Sequence, residues 1–251
     1  MNSGAAVTIG PAFWVVLALL CAAAAALAAL SGLRMSRGVV TASVRAIVQL
    51  TAVSLLITWV LAAWGPTAAF IAVMLVVASA TSARRIGGDR SSWWAAAAIA
   101  AGAAPVLALI VVAGVVPLTT VALVPIAGIL IGGAMTATSL AGRRAMEDLR
   151  VRRGEFEALL ALGFPDPDAV RELCRPYAGQ ALHPALDQTR TVGLVTLPGA
   201  FVGVLLGGGS PVQAGAAQLL VLIGLLAAET IAIVVVLELI ARGVINRPAV
   251  A

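Results

Sequence analysis

Charged and polar side chains are scarce in this chain, so each one set among apolar residues is a candidate for chemistry. Glu229 lies in the middle of the apolar run from Ala214 to Ile240. A charge at the centre of such a run costs at least about 2.5 kcal/mol in a bilayer. A carboxylate kept there could bind a cation, carry a proton or line a solute path; the plainer reading is a protonated or interface-buried glutamate in a structural hydrogen bond. Glu238, nearer the end of the run, has Arg242 at i,i+4 and reads as half of an ion pair. Arg45 and Gln49 share one face at the start of an earlier run, as anchors or as part of a path. Met135, with Thr136, Thr138 and Ser139, offers a thioether and hydroxyls, although such hydroxyls commonly bond their own helix backbone. Asp187 and Arg190 precede a run interrupted by Pro198 and Gly199. Breaks of that kind are tolerated in membranes where they line a cavity or pack against neighbours.

These residues do not compose a catalytic set. His183 is the single histidine and stands in a polar stretch. A Ser/His intramembrane protease needs its histidine within the bilayer, and a zinc protease needs H-E-x-x-H, which is absent. Cys21 and Cys174 form neither a pair nor a metal motif. All 16 basic residues are arginine. A phosphate-cradling loop of the G-x-x-x-x-G-K-[ST] type therefore cannot occur, and any ATP used must be bound by a separate chain.

The elements that must position these groups are membrane helices. The chain is 61% hydrophobic and 11% charged, with a mean hydropathy of +1.07; a soluble domain would carry about twice that charge. The pattern predicts an all-α polytopic protein with about seven spans in one membrane domain, 1–251. Expected spans run from about Phe13 to Leu30, Val44 to Ala63, Pro66 to Ala80, Trp94 to Val115, Thr120 to Leu140, Thr191 to Leu206 and Ala214 to Ile240. The amino terminus, lacking basic residues, does not suit a cleaved signal peptide. All the arginines fall in alternate loops and the C-terminal tail. The positive-inside rule then predicts an external N-terminus and a cytoplasmic C-terminus, with an odd number of spans.

The long polar stretch, about 142–190, is the large cytoplasmic loop of this scheme. It holds eight Arg and eight Asp/Glu, so the high pI is a topology signal and no nucleic-acid partner is expected. Within it, Arg153-Gly-Glu-Phe-Glu-Ala-Leu-Leu-Ala-Leu-Gly163 reads as a short amphipathic helix stopped by glycine. Pro165 prevents continuation, Asp166 or Asp168 can cap the next helix, and Pro176 kinks or ends it. Asp148 and Arg152 have the spacing of a helical ion pair. A membrane protein whose one large loop carries such a helix has a docking surface.

The segment Asp187-Gln-Thr-Arg-Thr191-Val-Gly-Leu-Val-Thr196-Leu-Pro-Gly199 resembles the signature of the FetB-type ABC transporter permease family, the uncharacterised permeases linked to iron export. Arg45-Ala-Ile-Val-Gln49-Leu50, Pro125-Ile-Ala-Gly128 with Gly132-Gly-Ala-Met135, and Pro211 with Gln218 resemble further parts of it. Glu157-Ala158-Leu159 followed by Gly163 is similar to the first half of the E-A-A-x-x-x-G coupling motif of ABC importer permeases. This chain has Gly133 where the family commonly has Asn, and Ala200-Phe201 where it commonly has a Met-Met pair. The resemblance implies a homodimeric plasma-membrane subunit that binds no cofactor and works with a separate ATPase carrying ATP and Mg. It implies coupling through Arg153, Glu157, Ala158 and Gly163, and a path or gate among Arg45, Gln49, Met135, Asp187, Arg190, Pro198, Gly199, Gln218 and Glu229. Iron or another metal ion is the implied solute; a nucleotide sugar or other small solute, or ion-coupled secondary transport, are the alternatives.

Overall fold

The computed structural model describes residues 9–247. Contacts divide the chain into two compact units, Met1–Val60 and Leu61–Ala251. The first holds α1 (Pro11–Leu30) and nearly all of α2 (Ser36–Ala62). Pro11 suits the start of α1 because its missing N–H would have no helical acceptor there. Leu19, Leu20, Leu27, Leu50 and Leu55 all face outward. Such surface is stable against lipid chains, which are as apolar as leucine.

The second unit contains α3 (Trp64–Ile86), α4 (Ala95–Val112), α5 (Thr120–Val151), α6 (Arg153–Ala161), α7 (Asp166–Ala178), α8 (His183–Thr191), α9 (Gly199–Leu206) and α10 (Pro211–Ala241). Helix α5 is its axis and packs against α3, α4, α7 and α10. The approach is close because the facing residues are small. Ala127, Ala134 and Ala137 on α5 and Ala228 and Ala232 on α10 are completely buried. With little hydrophobic drive between helices in lipid, such van der Waals contact supplies the association. One apolar cluster joins α3, α4, α5 and α10 around Ile99, Leu130 and Ala232. A second continues through Ala141, Ala145 and Ile240 to Val170, Leu173 and Cys174, so α7 belongs to the core.

Among the described residues, six helices are long and apolar enough to cross a membrane: α1, α2, α3, α4 with its preceding turn, α5 and α10. The expected span from Thr191 to Leu206 is not one of them. Helix α9 has eight residues, about 12 Å of rise against a hydrocarbon core of about 30 Å. Ahead of it Val192 bridges Thr196, Gly193 turns with φ +81°, and Pro198 is the extended N-cap. Glycine and proline therefore replace a helix with a turn and a half-helix. The chain from Leu182 to Phe201 still climbs along α10. Leu182 shares a cavity with Thr230 and Val234, whereas the Phe201 amide donates to Gln218 Oε1 at 3.2 Å. The two levels are about 18–24 Å apart along α10.

At the other extreme, α5 does not stop near Leu140 but runs on to Val151. Its charged end meets α7 on the side where the α3–α4 loop and the C-terminal tail converge. Asp89 accepts hydrogen bonds from Ser91 Oγ at 2.6 Å, Ser92 N at 3.0 Å and Asn246 Nδ2 at 2.9 Å. These donors, Ser91 first, hold its carboxyl well below the usual carboxylate range. Arg247 in turn pairs with Asp166 at 2.6 Å. The arginine-bearing loops of this unit thus gather at one end, as their alternation along the sequence requires.

Candidate coupling and transport site

The polar stretch forms a bracket at that end. Arg153 and Glu157 pair at 2.8 Å along α6, and Ala158 lies exposed between turns. No residue of α6 is buried, and its edge presents Leu160, Leu162 and Phe164 to the outside. The helix stops where the glycine predicts. The Gly163 N–H donates to Leu160 O at 2.9 Å and the Phe164 N–H to Leu159 O at 3.1 Å, with Gly163 at φ +90°. This is a Schellman motif, which needs a left-handed residue after the C-cap.

Two local expectations are corrected, and one of two alternatives is decided. Asp148 pairs with Arg144 at 3.3 Å rather than with Arg152, because Arg152 turns towards Glu155 and donates to Leu173 O at 3.1 Å. Neither Asp166 nor Asp168 caps α7; Pro165 is the N-cap, and the two acids sit in the first turn, where the helix dipole favours them. Pro176 does not end α7, which continues to Ala178 and into a 3-10 turn.

Two arrangements hold the bracket to the bundle. Arg144 and Arg152 both lie over the Tyr177 ring, at 5.2 Å and 5.0 Å, and Glu155 raises the Arg152 pKa further by its hydrogen bonds. Cys174 is fully buried beneath them, and burial, then the nearby Asp148 charge, pushes its thiol up to about 12. The second arrangement joins α7 to α10. Arg171 donates from Nη2 and Nε to the two carboxylate oxygens of Glu238, at 2.7 Å and 2.9 Å. Arg171 also pairs with Asp168, and Glu238 with Arg242. The expected Glu238–Arg242 pair is therefore present, but its principal partner lies 67 residues away. Arg171→Gln together with Glu238→Gln is expected to cost less than the sum of the single changes, because each single change strands one charge. A double-mutant cycle by thermal denaturation in detergent measures this.

Inside the bundle, Glu229 is buried at 6% exposure. No donor or cation among the described residues pairs with it. Its Oε1 faces Gly133, where an added Cβ would lie 2.8 Å away. A level nearer the bracket, Ser82 Oγ and Ser139 Oγ share a hydrogen bond of 2.9 Å, and Ser82 also reaches Met135 O at 3.2 Å. Thr138 Oγ1 is buried without a partner. Thr136 and Thr230 bond their own helices. Helices α3, α5 and α10 therefore place hydroxyls, a half-buried Met135 and a carboxylate in one interior.

The other candidates of this unit are held by different contacts. Gln218 is buried and holds the half-helix α9. Pro198 and Gly199 start that half-helix. Asp187 and Arg190 are 3.7 Å apart and largely exposed. Arg45 and Gln49 are exposed on α2. The partners that Arg171 and Arg247 find across the fold, Glu238 and Asp166, had no local spacing to mark them. Both partners come from distant segments, whereas Asp148 keeps a local partner and is buried by the surrounding core.

Long apolar helices, a broken segment beside the last of them and a carboxylate in the bundle define an all-α, multi-pass membrane protein. The chain belongs to the uncharacterised protein family UPF0014, whose model matches residues 12–245. It is 38% identical over 125 residues to the UPF0014 membrane protein STAR2 of Oryza sativa subsp. japonica, covering 50% of this chain and 44% of that protein. It is 36% identical over 123 residues to ALUMINUM SENSITIVE 3 of Arabidopsis thaliana, covering 49% and 45%. It is 30% identical over 140 residues to the probable iron export permease protein FetB of Escherichia coli K12, covering 56% and 54%. The chain thus spans about half the length of the curated relatives it matches. No solved structure matches.

Proposed function

We propose that the chain is the permease subunit of an ATP-driven ABC exporter. It works as a homodimer with a separate ATPase subunit that carries ATP and Mg, in the plasma (inner) membrane, with the N-terminus outside and the C-terminus cytoplasmic. The observation that carries the reading is α6, a short exposed helix with a geometric stop at Gly163 and a mount on both α5 and α7. Closure of the ATPase pair would move α6 and α7 together. The Arg171–Glu238 pair would pass that displacement to α10, and Glu229 lies nine positions back on the same helix. The likeness to the probable iron export permease FetB supports iron as solute. An interior of one carboxylate, hydroxyls and a thioether also suits other metal ions.

The unpaired burial of Glu229 favours one second reading, secondary transport coupled to ion movement through that carboxylate. Co-expression with candidate ABC ATPases separates the two. A stable complex is expected, in which Glu229→Gln retains the ATPase but lowers solute-stimulated turnover about tenfold, the equivalent of about 1.4 kcal/mol. Transport that follows a proton gradient, needs Glu229 and recruits no ATPase would overturn the exporter reading.

A further inference from the structure

A cavity of about 420 Å³ opens where α5 leaves its apolar stretch, between that helix and the end of α7. Leu140 marks its membrane end, and Arg143, Arg144, Glu147, Tyr177 and Gln180 line the rest. Every polar side chain there except Glu147 can donate: two guanidinium groups, a phenol and a carboxamide. Glu147 is the one acid, and Arg150 neutralises it through hydrogen bonds of 3.2 Å and 2.9 Å. Arg144 is pinned by Asp148 at 3.3 Å and by the Tyr177 ring, so part of the ordering cost of an anion site is already met. Arg143 has no ion-pair partner among the described residues.

We infer that this cavity is a binding site for a phosphate-bearing group, presented by an anionic phospholipid headgroup or by a free phosphate. Arginine suits it because its planar fork matches phosphate oxygens two at a time. The position favours the lipid. Residues 120–142 of α5 carry no charge and measure about 34 Å, so Arg143 and Arg144 fall at the level of the headgroups. Basic pockets between helices at that level are where anionic headgroups are held. The inference rests on the membrane reading and not on the ATPase partner, so its outcome is separable from the co-expression experiment.

The full chain is placed in nanodiscs of mixed phosphatidylglycerol and phosphatidylcholine, and native mass spectrometry counts the lipids it retains. Selective retention of phosphatidylglycerol is expected, reduced about fivefold by Arg143→Gln and only partly restored by Arg143→Lys, which keeps the charge without the fork. Arg143 is exposed, so both variants should fold. In parallel, inorganic phosphate is titrated against the chain in phosphatidylcholine nanodiscs, and broadening of its ³¹P signal is followed. Broadening that depends on Arg143, without any phosphatidylglycerol preference, would assign the cavity to a free phosphate. Equal lipid retention in wild type and Arg143→Gln, with no phosphate broadening, would overturn the site.

Discussion

Gly163→Pro is expected to abolish productive assembly with an ATPase while leaving the membrane bundle folded. Proline holds φ near −65°, whereas Gly163 requires +90°. Its ring also removes the N–H that donates to Leu160 O. Forcing a residue out of its backbone well costs about 1–3 kcal/mol, and the lost hydrogen bond about 1 kcal/mol more. The chain relieves this strain where resistance is least. Helix α6 has no fully buried residue and touches the core only through the half-buried Phe156 and Leu159, whereas α7 is locked by Val170, Leu173 and Cys174, so α6 is the part that swings. Circular dichroism and thermal melting should barely change, while ATPase recovered with the chain, and the activity coupled to it, fall to background. Gly163→Ala keeps the N–H and pays only for the left-handed conformation, about 1–2 kcal/mol; it should give an intermediate loss. Full coupling in Gly163→Pro would remove the α6–α7 turn from the mechanism.

The largest effect on stability is expected from Gly102→Ala. A Cβ at Gly102 would lie 2.4 Å from the backbone oxygen of Ala228 and 3.1 Å from the Ala232 Cβ. Neither contact can be relieved by turning a side chain, because one is main chain and the other is itself a Cβ. Helix α4 must then retreat from α10 along a seam of small residues. Overpacking of this sort costs about 1–3 kcal/mol, which corresponds to a fall of roughly 3–10 °C in Tm. Gly132→Ala is the matched control, since an added Cβ there meets nothing within 4 Å. A melting curve for each variant in detergent tests the pair. Equal Tm values for Gly102→Ala and wild type would mean that α4 and α10 are not held at this spacing. The retreat of α4 should also disturb Glu229, which follows Ala228 directly on α10.

The sequence by itself determined the class of fold, the apolar helices, the bracket and its glycine stop. Those properties are local: hydropathy over about 20 residues, arginine alternation across loops, and the φ that a particular glycine can adopt. It also marked Glu229, because a carboxylate in an apolar run is conspicuous without any coordinates. Tertiary structure alone decided the rest. Asp148 chose Arg144 because Arg152 found Glu155, the Leu173 carbonyl and the Tyr177 ring. Glu238 gained Arg171 from a helix far away in sequence, and a ladder built across such a distance leaves no periodic trace. The segment 191–206 is apolar enough to be read as a span, yet Gly193 and Pro198 divide it into a turn and a half-helix that Gln218 of α10 holds in place. Composition reports whether a segment can enter a bilayer; its path once there depends on which neighbours satisfy the backbone groups that a break exposes.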